Sequence, residues 1–452
     1  MRNSICILIL LALTFSLCLR TFISMLIVVM VRPASTNATY DSNIVDDDLL
    51  DWPLTWKPLI FSAPLLGCLL ALPLYFKFLN EVPKAWPIAV VLIFQSLLSL
   101  ISPLVARISL VAFIVLRVIL GLAEGCVMPA LNTIAAAWFP LNERVFKVAI
   151  YTCGFQISFG GVQYLISFLS SIGVPWQFIF YGGGVIGLLF CIVWQLFTSD
   201  SPSESRFVGR EEMKFINDHI PKTGTKPLST PWSSILSSPV VIAHLLCMSG
   251  FYFAIGITSN LLPLYFSEEL GMPITKSGVF TLVPFLMQII SKFVVGFIVD
   301  WRKKKGGLSH TVAAKICQTI GSIGSALALF ALPFCHSNHT IAFIVLVVYG
   351  ATFSLCVCGF YASMTMIAPR LTGSITSLVT FVGMVVCLLS MLVFSAFVWT
   401  STSHKFFWLF GIAGVLQVIA GVAYLIWGTA EVQPWAISQE APPSIVMRPL
   451  LD

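Results

Sequence analysis

Arg117-Val-Ile-Leu-Gly121-Leu-Ala-Glu124-Gly125 places two charges of opposite sign inside an apolar stretch long enough to cross a bilayer. Insertion scales put Asp, Lys or Arg at a bilayer centre at roughly 2.5–3.5 kcal/mol, so a helix carrying both signs turns them toward a protein interior or a wet cavity. Arg117 and Glu124 are seven positions apart. On an α-helix that puts them on nearly one face, about 10.5 Å apart along the axis. The stretch is read as a transport site.

The rest of the chain agrees with a membrane setting. With 452 residues, 58% hydrophobic, 10% charged and a mean hydropathy of +0.95, it cannot hide its apolar surface as a soluble globule. Apolar runs of about 20 residues predict twelve spans near 5–31, 57–78, 86–105, 109–138, 146–171, 177–198, 239–264, 279–299, 313–333, 340–365, 372–398 and 406–428. Arg2 ahead of Ile5–Leu19 imitates a signal peptide, but the apolar run resumes at Thr21 and no small-residue cleavage pattern interrupts it, so span one is expected to stay in the chain.

Basic residues set the expected orientation, with both termini cytoplasmic. The inner loops then hold Arg2, Lys77, Lys84, Arg144, Lys147, Arg206, Arg210, Lys214 and Arg302 to Lys305, among others, against Arg32, Lys57, Arg107, Lys276 and Lys405 outside. Two glycosylation sequons, Asn37-Ala-Thr39 and Asn338-His-Thr340, fall on the outer or luminal face. The formal charge of +6 is thus read as orientation, not nucleic-acid binding. A plasma or lysosomal/vesicular membrane is expected.

Eleven of the twelve cysteines fall in apolar spans, with Cys335 at a luminal end, so small core residues rather than a disulfide framework are expected. No metal-ligand spacing is present and no cofactor is called for. His244 opens span seven and the other histidines lie in loops or at span ends, so no buried histidine relay is expected. Asp46-Asp-Asp48 reads as a solvated loop, and Gly160-Gly161 and Gly182-Gly-Gly184 as close helix packing.

Ser201-Pro-Ser-Glu-Ser-Arg206 and Arg210-Glu-Glu-Met-Lys214 break the chain once. The expected units are a six-helix bundle over 1–198, a cytoplasmic linker over 199–238, a second six-helix bundle over 239–430 and a cytoplasmic tail over 431–452. Six spans on each side of one linker is the arrangement of the major facilitator fold, in which two bundles rock around a midplane site. Gly296-Phe-Ile-Val-Asp300-Trp-Arg302 resembles that superfamily's Gly-x-x-x-Asp-x-Arg motif, making Asp300 and Arg302 an expected gating hinge; Ala71 to Glu81 lacks the Asp-x-Arg.

Several separated stretches are similar to the anion:cation symporter family, which includes sialin, the vesicular glutamate transporters and the type I sodium/phosphate cotransporters. They are Leu19 to Val31, Arg117-x-x-x-Gly121-x-x-Glu124-Gly125-x-x-x-Pro129-Ala130, Trp138 to Arg144, Ser199-Asp-Ser-Pro202, Leu262-Pro-Leu-Tyr265 to Gly271, Ile367-Ala-Pro-Arg370 and Glu431-Val-Gln-Pro-Trp-Ala436. The resemblance implies a span-one arginine, here Arg20, in substrate binding and a span-four glutamate, here Glu124, in proton coupling. Departures narrow the cargo. Cys247 stands where the glutamate transporters carry arginine, Asn132 where sialin-like members carry histidine, and Tyr361, Met364 and Met366 where polar residues precede Ile-Ala-Pro-Arg.

The physical reading of the charges runs parallel. Arg20 and Arg117 against one carboxylate make an electropositive pocket, and a guanidinium forks onto a carboxylate where an ammonium acts as a point charge. Glu124 is expected to carry the proton, since its protonation depends on which arginine engages it, and anion and proton would then favour each other's binding. Asn132, Gln156, Tyr252 and Tyr265 are candidate cavity residues. Lys292 is expected to snorkel to the cytoplasmic end, two turns away. No nucleophile–base or metal constellation supports an enzyme. The expectation is a monomeric, proton-coupled transporter of small organic anions. Sodium-coupled phosphate transport, or a non-transporting relative acting as sensor or trafficking partner, is the alternative.

Overall fold

The structure, a computed structural model, describes residues 1–31, 49–74, 85–139, 147–200, 231–305, 307–335, 338–364, 366–368, 371–400 and 404–437, with 202, 205, 207–209, 211–213 and 402. Asn37, Asp46 to Asp48, Lys77, Lys84, Arg144, Arg370, much of the linker and the tail past Ile437 lie outside the described residues.

Where their residues are described, all twelve expected spans are helical. Span one is Arg2–Met30, two Lys57–Leu74, three Ala85–Ile108, and four Leu110–Gly125 continued by Val127–Trp138. Span five covers 147–171, six Trp176–Phe197, seven Pro239–Glu268 and eight Ile274–Lys304. Span nine is His310–Ala331, ten runs from His339 to Met364, eleven is Thr372–Trp399 and twelve Lys405–Trp427. Ten of the described helices are long and apolar enough to cross a membrane, and Lys57–Ala71 is a shorter apolar one. The chain is a multi-pass membrane protein.

Polar residues mark where the helices begin. Ser109 accepts from the Ala112 amide, Ser309 from Val312, and Asn338 from Thr340 and Ile341, each satisfying donors that a helix start leaves free. Pro239 sits in the first turn of span seven, where its missing N–H costs nothing. Pro129 explains the break in span four, because it cannot donate to the Gly125 carbonyl and the helix loosens at Cys126.

Spans five and ten each contain a π-helical turn, Ile157–Val162 and Val357–Tyr361, which the apolar pattern does not reveal. Such turns are rare and favour functional positions. In span ten the Phe360 amide finds the side-chain oxygen of Gln318 in span nine.

Spans two and four pack backbone to backbone. A Cβ on Gly67 would lie 2.0 Å from the Val118 carbonyl oxygen, and one on Gly121 2.0 Å from that of Pro64. The first six spans meet the last six where one packs on seven, two on eleven and five on eight. We call the side on which span one begins the amino-terminal face, and the opposite side the far face. Bonds joining the two sets crowd toward the far face: Ser167 to the Ile274 carbonyl, Gln163 to the Ser259 carbonyl at 2.8 Å, and Trp399 to the Thr55 carbonyl at 3.1 Å. Glu268 there takes Lys57 at 3.5 Å and Lys405 at 2.8 Å.

Candidate functional site

Arg20 and Glu124 meet. The Arg20 Nη1 lies 2.9 Å from the Glu124 Oε1, with the side chains 11% and 8% exposed, so span one and span four are joined by a nearly buried ion pair. Glu124 neither faces lipid nor stands apart from span one. The Cys68 thiol of span two stands beside both partners, and Cys387 of span eleven and Tyr252 of span seven lie within electrostatic range of Arg20. The guanidinium also rests 5.6 Å over the ring of Phe159 in span five. Four neighbouring spans thus close around one ion pair, and both sets of six contribute. Two polar atoms in it remain without hydrogen-bond partners, the Arg20 Nε and the Glu124 Oε2.

Arg117 behaves differently from its expected role. It is fully buried and turns to span one's main chain, donating from Nη1 to the Leu19 carbonyl at 3.0 Å and from Nη2 to the Arg20 carbonyl. Shared helical face brings it near Glu124, but its two terminal nitrogens are taken by backbone, and its Nε is buried without a partner. A guanidinium is suited to this because its planar fork spans two adjacent acceptors.

The cavity candidates separate. Tyr252 stands beside the ion pair and packs against Gly383. Gln156 reaches across to Gln288 of span eight, Nε2 to Oε1, at 3.4 Å. Asn132 is exposed toward the amino-terminal face and accepts from the Tyr151 hydroxyl at 2.8 Å. Tyr265 stands near the far face: its hydroxyl donates to the Leu332 carbonyl at 3.0 Å, and its ring packs on Phe406 and Phe410. Arg302 is exposed at the end of span eight, and the Asp300 side chain lies outside the described residues. Asn338 is exposed on the far face.

Two expectations are corrected. Lys292 does not snorkel. Span eight continues to Lys304, leaving Lys292 twelve residues, or about 18 Å, from its end, and its Nζ instead donates to the Thr152 Oγ1 of span five at 2.7 Å. His244 is fully buried within span seven, its Nδ1 donating to the Val240 carbonyl at 2.8 Å and its Nε2 facing the Ser363 hydroxyl at 3.1 Å. Ser363 in turn bonds the Tyr424 hydroxyl, so spans seven, ten and twelve are tied near the amino-terminal face. The described cysteines are free thiols, most of them buried, and no group of three or more metal-ligating side chains occurs among the described residues. Two of the resembling motifs touch: the Gln433 amide donates to the Ile367 carbonyl at 2.9 Å.

Comparison with known proteins follows the same line. The Caenorhabditis elegans uncharacterized transporter slc-17.3 is 28% identical over 394 residues, 86% of this chain and 74% of that one. Mouse sodium-dependent phosphate transport protein 3 and human sialin are each 26% identical over 76% of this chain, covering 72% and 69% of their own lengths. The crystal structure of the D-xylose-proton symporter superposes with a TM-score of 0.71 at 14% identity, over 95% of this chain and 98% of that chain. Residues 9–391 match the sequence profile of the Major Facilitator Superfamily. The chain belongs to that superfamily and, with sialin and the sodium-dependent phosphate transport protein among its relatives, to the anion:cation symporter family within it.

Proposed function

We propose that this protein is a secondary active transporter of organic anions that couples their movement to protons through Arg20 and Glu124. The observation that carries this reading is the 2.9 Å ion pair between spans one and four, in which each partner keeps one unused polar atom. An anion that engages the Arg20 guanidinium competes with Glu124 for it. Removing one partner of a buried ion pair leaves the other uncompensated, so the displaced carboxylate is accommodated in that interior when a proton replaces the guanidinium. Anion and proton then favour each other, and the coupling free energy between them is what symport requires.

Arg117 acts in this reading as a positioning residue. By holding the carbonyls of Leu19 and Arg20 it fixes the turn from which the Arg20 side chain projects. The amino-terminal face is taken as cytoplasmic, with Asn338 open to glycosylation on the far side and Asp300 and Arg302 at the hinge of span eight. Alternating access would follow from parting the far-face bonds while the amino-terminal ends close.

The test is transport by the purified chain in proteoliposomes under an imposed pH gradient, with glucuronate, glutamate and inorganic phosphate as probes. Glu124→Gln is expected to abolish gradient-driven accumulation while leaving anion exchange, and Arg20→Ala to lose both. Wild-type-like accumulation in either variant overturns the assignment. A relative named as a sodium-dependent phosphate transporter supports a second reading. Phosphate uptake that requires sodium and survives collapse of the pH gradient would select it.

A further inference from the structure

Among the described residues Lys292 is a cation without a counter-ion. Its ammonium lies in the contact between spans five and eight, and its hydrogen bond goes to a neutral hydroxyl, that of Thr152. Among the described residues no carboxylate comes within ion-pair distance of it, and the titratable groups nearest to it are the thiols of Cys153 and Cys358. A charge at membrane depth without an opposite charge is a standing cost, and one that persists marks a place where an anion arrives.

The surroundings fit such a ligand. One helical turn toward the far face, Gln288 of span eight meets Gln156 of span five, and the Gln156 Oε1 is buried without a partner. An ammonium, a hydroxyl and two amides supply donors for anionic oxygen and acceptors for ligand hydroxyls. Beyond the amides stand Phe159 and Phe285, with ring centroids 5.8 Å apart, and Arg20 lies over the other side of Phe159. Thr152 and Phe159 are seven residues apart on span five, so Thr152 lies about 10 Å along the helix from the ring beneath Arg20, on its amino-terminal side.

We propose that Lys292, Thr152, Gln156 and Gln288 form a second oxyanion subsite, separated from the Arg20–Glu124 pair by the Phe159–Phe285 ring pair. A carboxylate or phosphate moving between the ion pair and the amino-terminal face rests there. Because Lys292 and Thr152 come from opposite sets of six spans, the ligand also takes the place of a bond that joins the two sets. The inference rests on the transport reading above for its purpose, but binding at the subsite can be measured without transport.

The experiment uses the full chain purified in detergent and reconstituted. Thermal unfolding followed by tryptophan fluorescence is recorded with and without glucuronate, phosphate and sulfate, since a ligand that binds the folded state raises the midpoint. Exchange KM is measured from the amino-terminal face. Lys292→Gln is expected to lose most of the anion-dependent shift and raise KM roughly tenfold, the scale of one hydrogen bond to a charged group, with Lys292→Arg restoring both. Gln288→Glu, four residues from Lys292 on the same helix, supplies a built-in counter-ion and should weaken anion binding even if Lys292→Gln does not fold. Stabilisation and KM unchanged by both Lys292→Gln and Gln288→Glu overturn the subsite. Absence of exchange for all three probes in the wild type, with anion stabilisation intact and lost in Lys292→Gln, would fail the transport reading and leave the subsite standing.

Discussion

The Arg117 guanidinium bonds the main-chain carbonyl of Arg20, the residue whose own side chain holds Glu124. Two arginines of like charge are thus linked through backbone rather than through a shared carboxylate. Replacing Arg117 by lysine keeps the charge and loses the planar fork that spans the two adjacent carbonyls of Leu19 and Arg20, so the paired charge-assisted bonds are lost. Arg117→Lys is expected to destabilise by on the order of 3 kcal/mol and to lower transport of every probe together. Thermal unfolding beside exchange assays checks this; an unchanged midpoint contradicts the positioning role.

Gly121 answers to span two rather than to the charges beside it. A Cβ there would sit 2.0 Å from the Pro64 carbonyl oxygen, which is backbone and cannot swing aside, so Gly121→Ala should cost at least about 3 kcal/mol or prevent folding. Gly182 and Gly411 meet nothing within 4 Å, and alanine at either should be neutral or slightly stabilising. Expression and unfolding midpoints of the three variants give the comparison.

Glu268 bridges lysines from spans two and twelve at the far face, with side-chain exposures of 10% for Lys57, 24% for Glu268 and 18% for Lys405. Glu268→Gln leaves two ammonium groups facing one another. Partly exposed pairs are worth up to about 1 kcal/mol each, so losing the two should raise opening toward the far face by no more than about thirtyfold. The buried Ser24, replaced by cysteine, would report this through its labelling rate from the far side.

Glu212 ties the linker to the start of span one, accepting from the Arg2 amide at 3.1 Å and the Arg2 Nε at 3.3 Å. Partial burial raises its carboxyl, but the Arg2 amide, the terminal ammonium and the Arg2 guanidinium outweigh that and hold it below the ordinary carboxylate value. A depressed carboxyl stabilises above its unfolded value and loses that contribution as pH falls through the folded one. Docking of residues 211–213 should therefore hold at neutral pH and weaken below about pH 4. Hydrogen exchange at the Arg2 amide follows it, and Glu212→Gln should remove the pH dependence.

The twelve spans were legible because a bilayer demands about 20 apolar residues each time, a constraint strong enough to read without contacts. That Glu124 meets a guanidinium was legible too, since opposite charges in a low dielectric have few other destinations, but the spacing left open whether Arg20 or Arg117 would be the one. Arg117 was not: spacing along a helix gives the face but not which carbonyls of a neighbouring helix wait there. Lys292 was misread from the length of its span, for an end set at 299 puts the interface within reach of a side chain that the true end at Lys304 leaves stranded. The burial of His244 depends on Ser363, more than a hundred residues away, and no local pattern carries that.

The widened turn at Ile157–Val162 gives span five a slack that its neighbours do not have. One surplus residue in a helix corresponds to about 100° of rotation. Were that turn to rewind as ordinary α-helix, the segment bearing Thr152 and Gln156 would swivel off Lys292 and Gln288, while Ser167 stayed fastened to Ile274. Such a rewinding would work like a clutch, freeing span five at one end without letting go at the other.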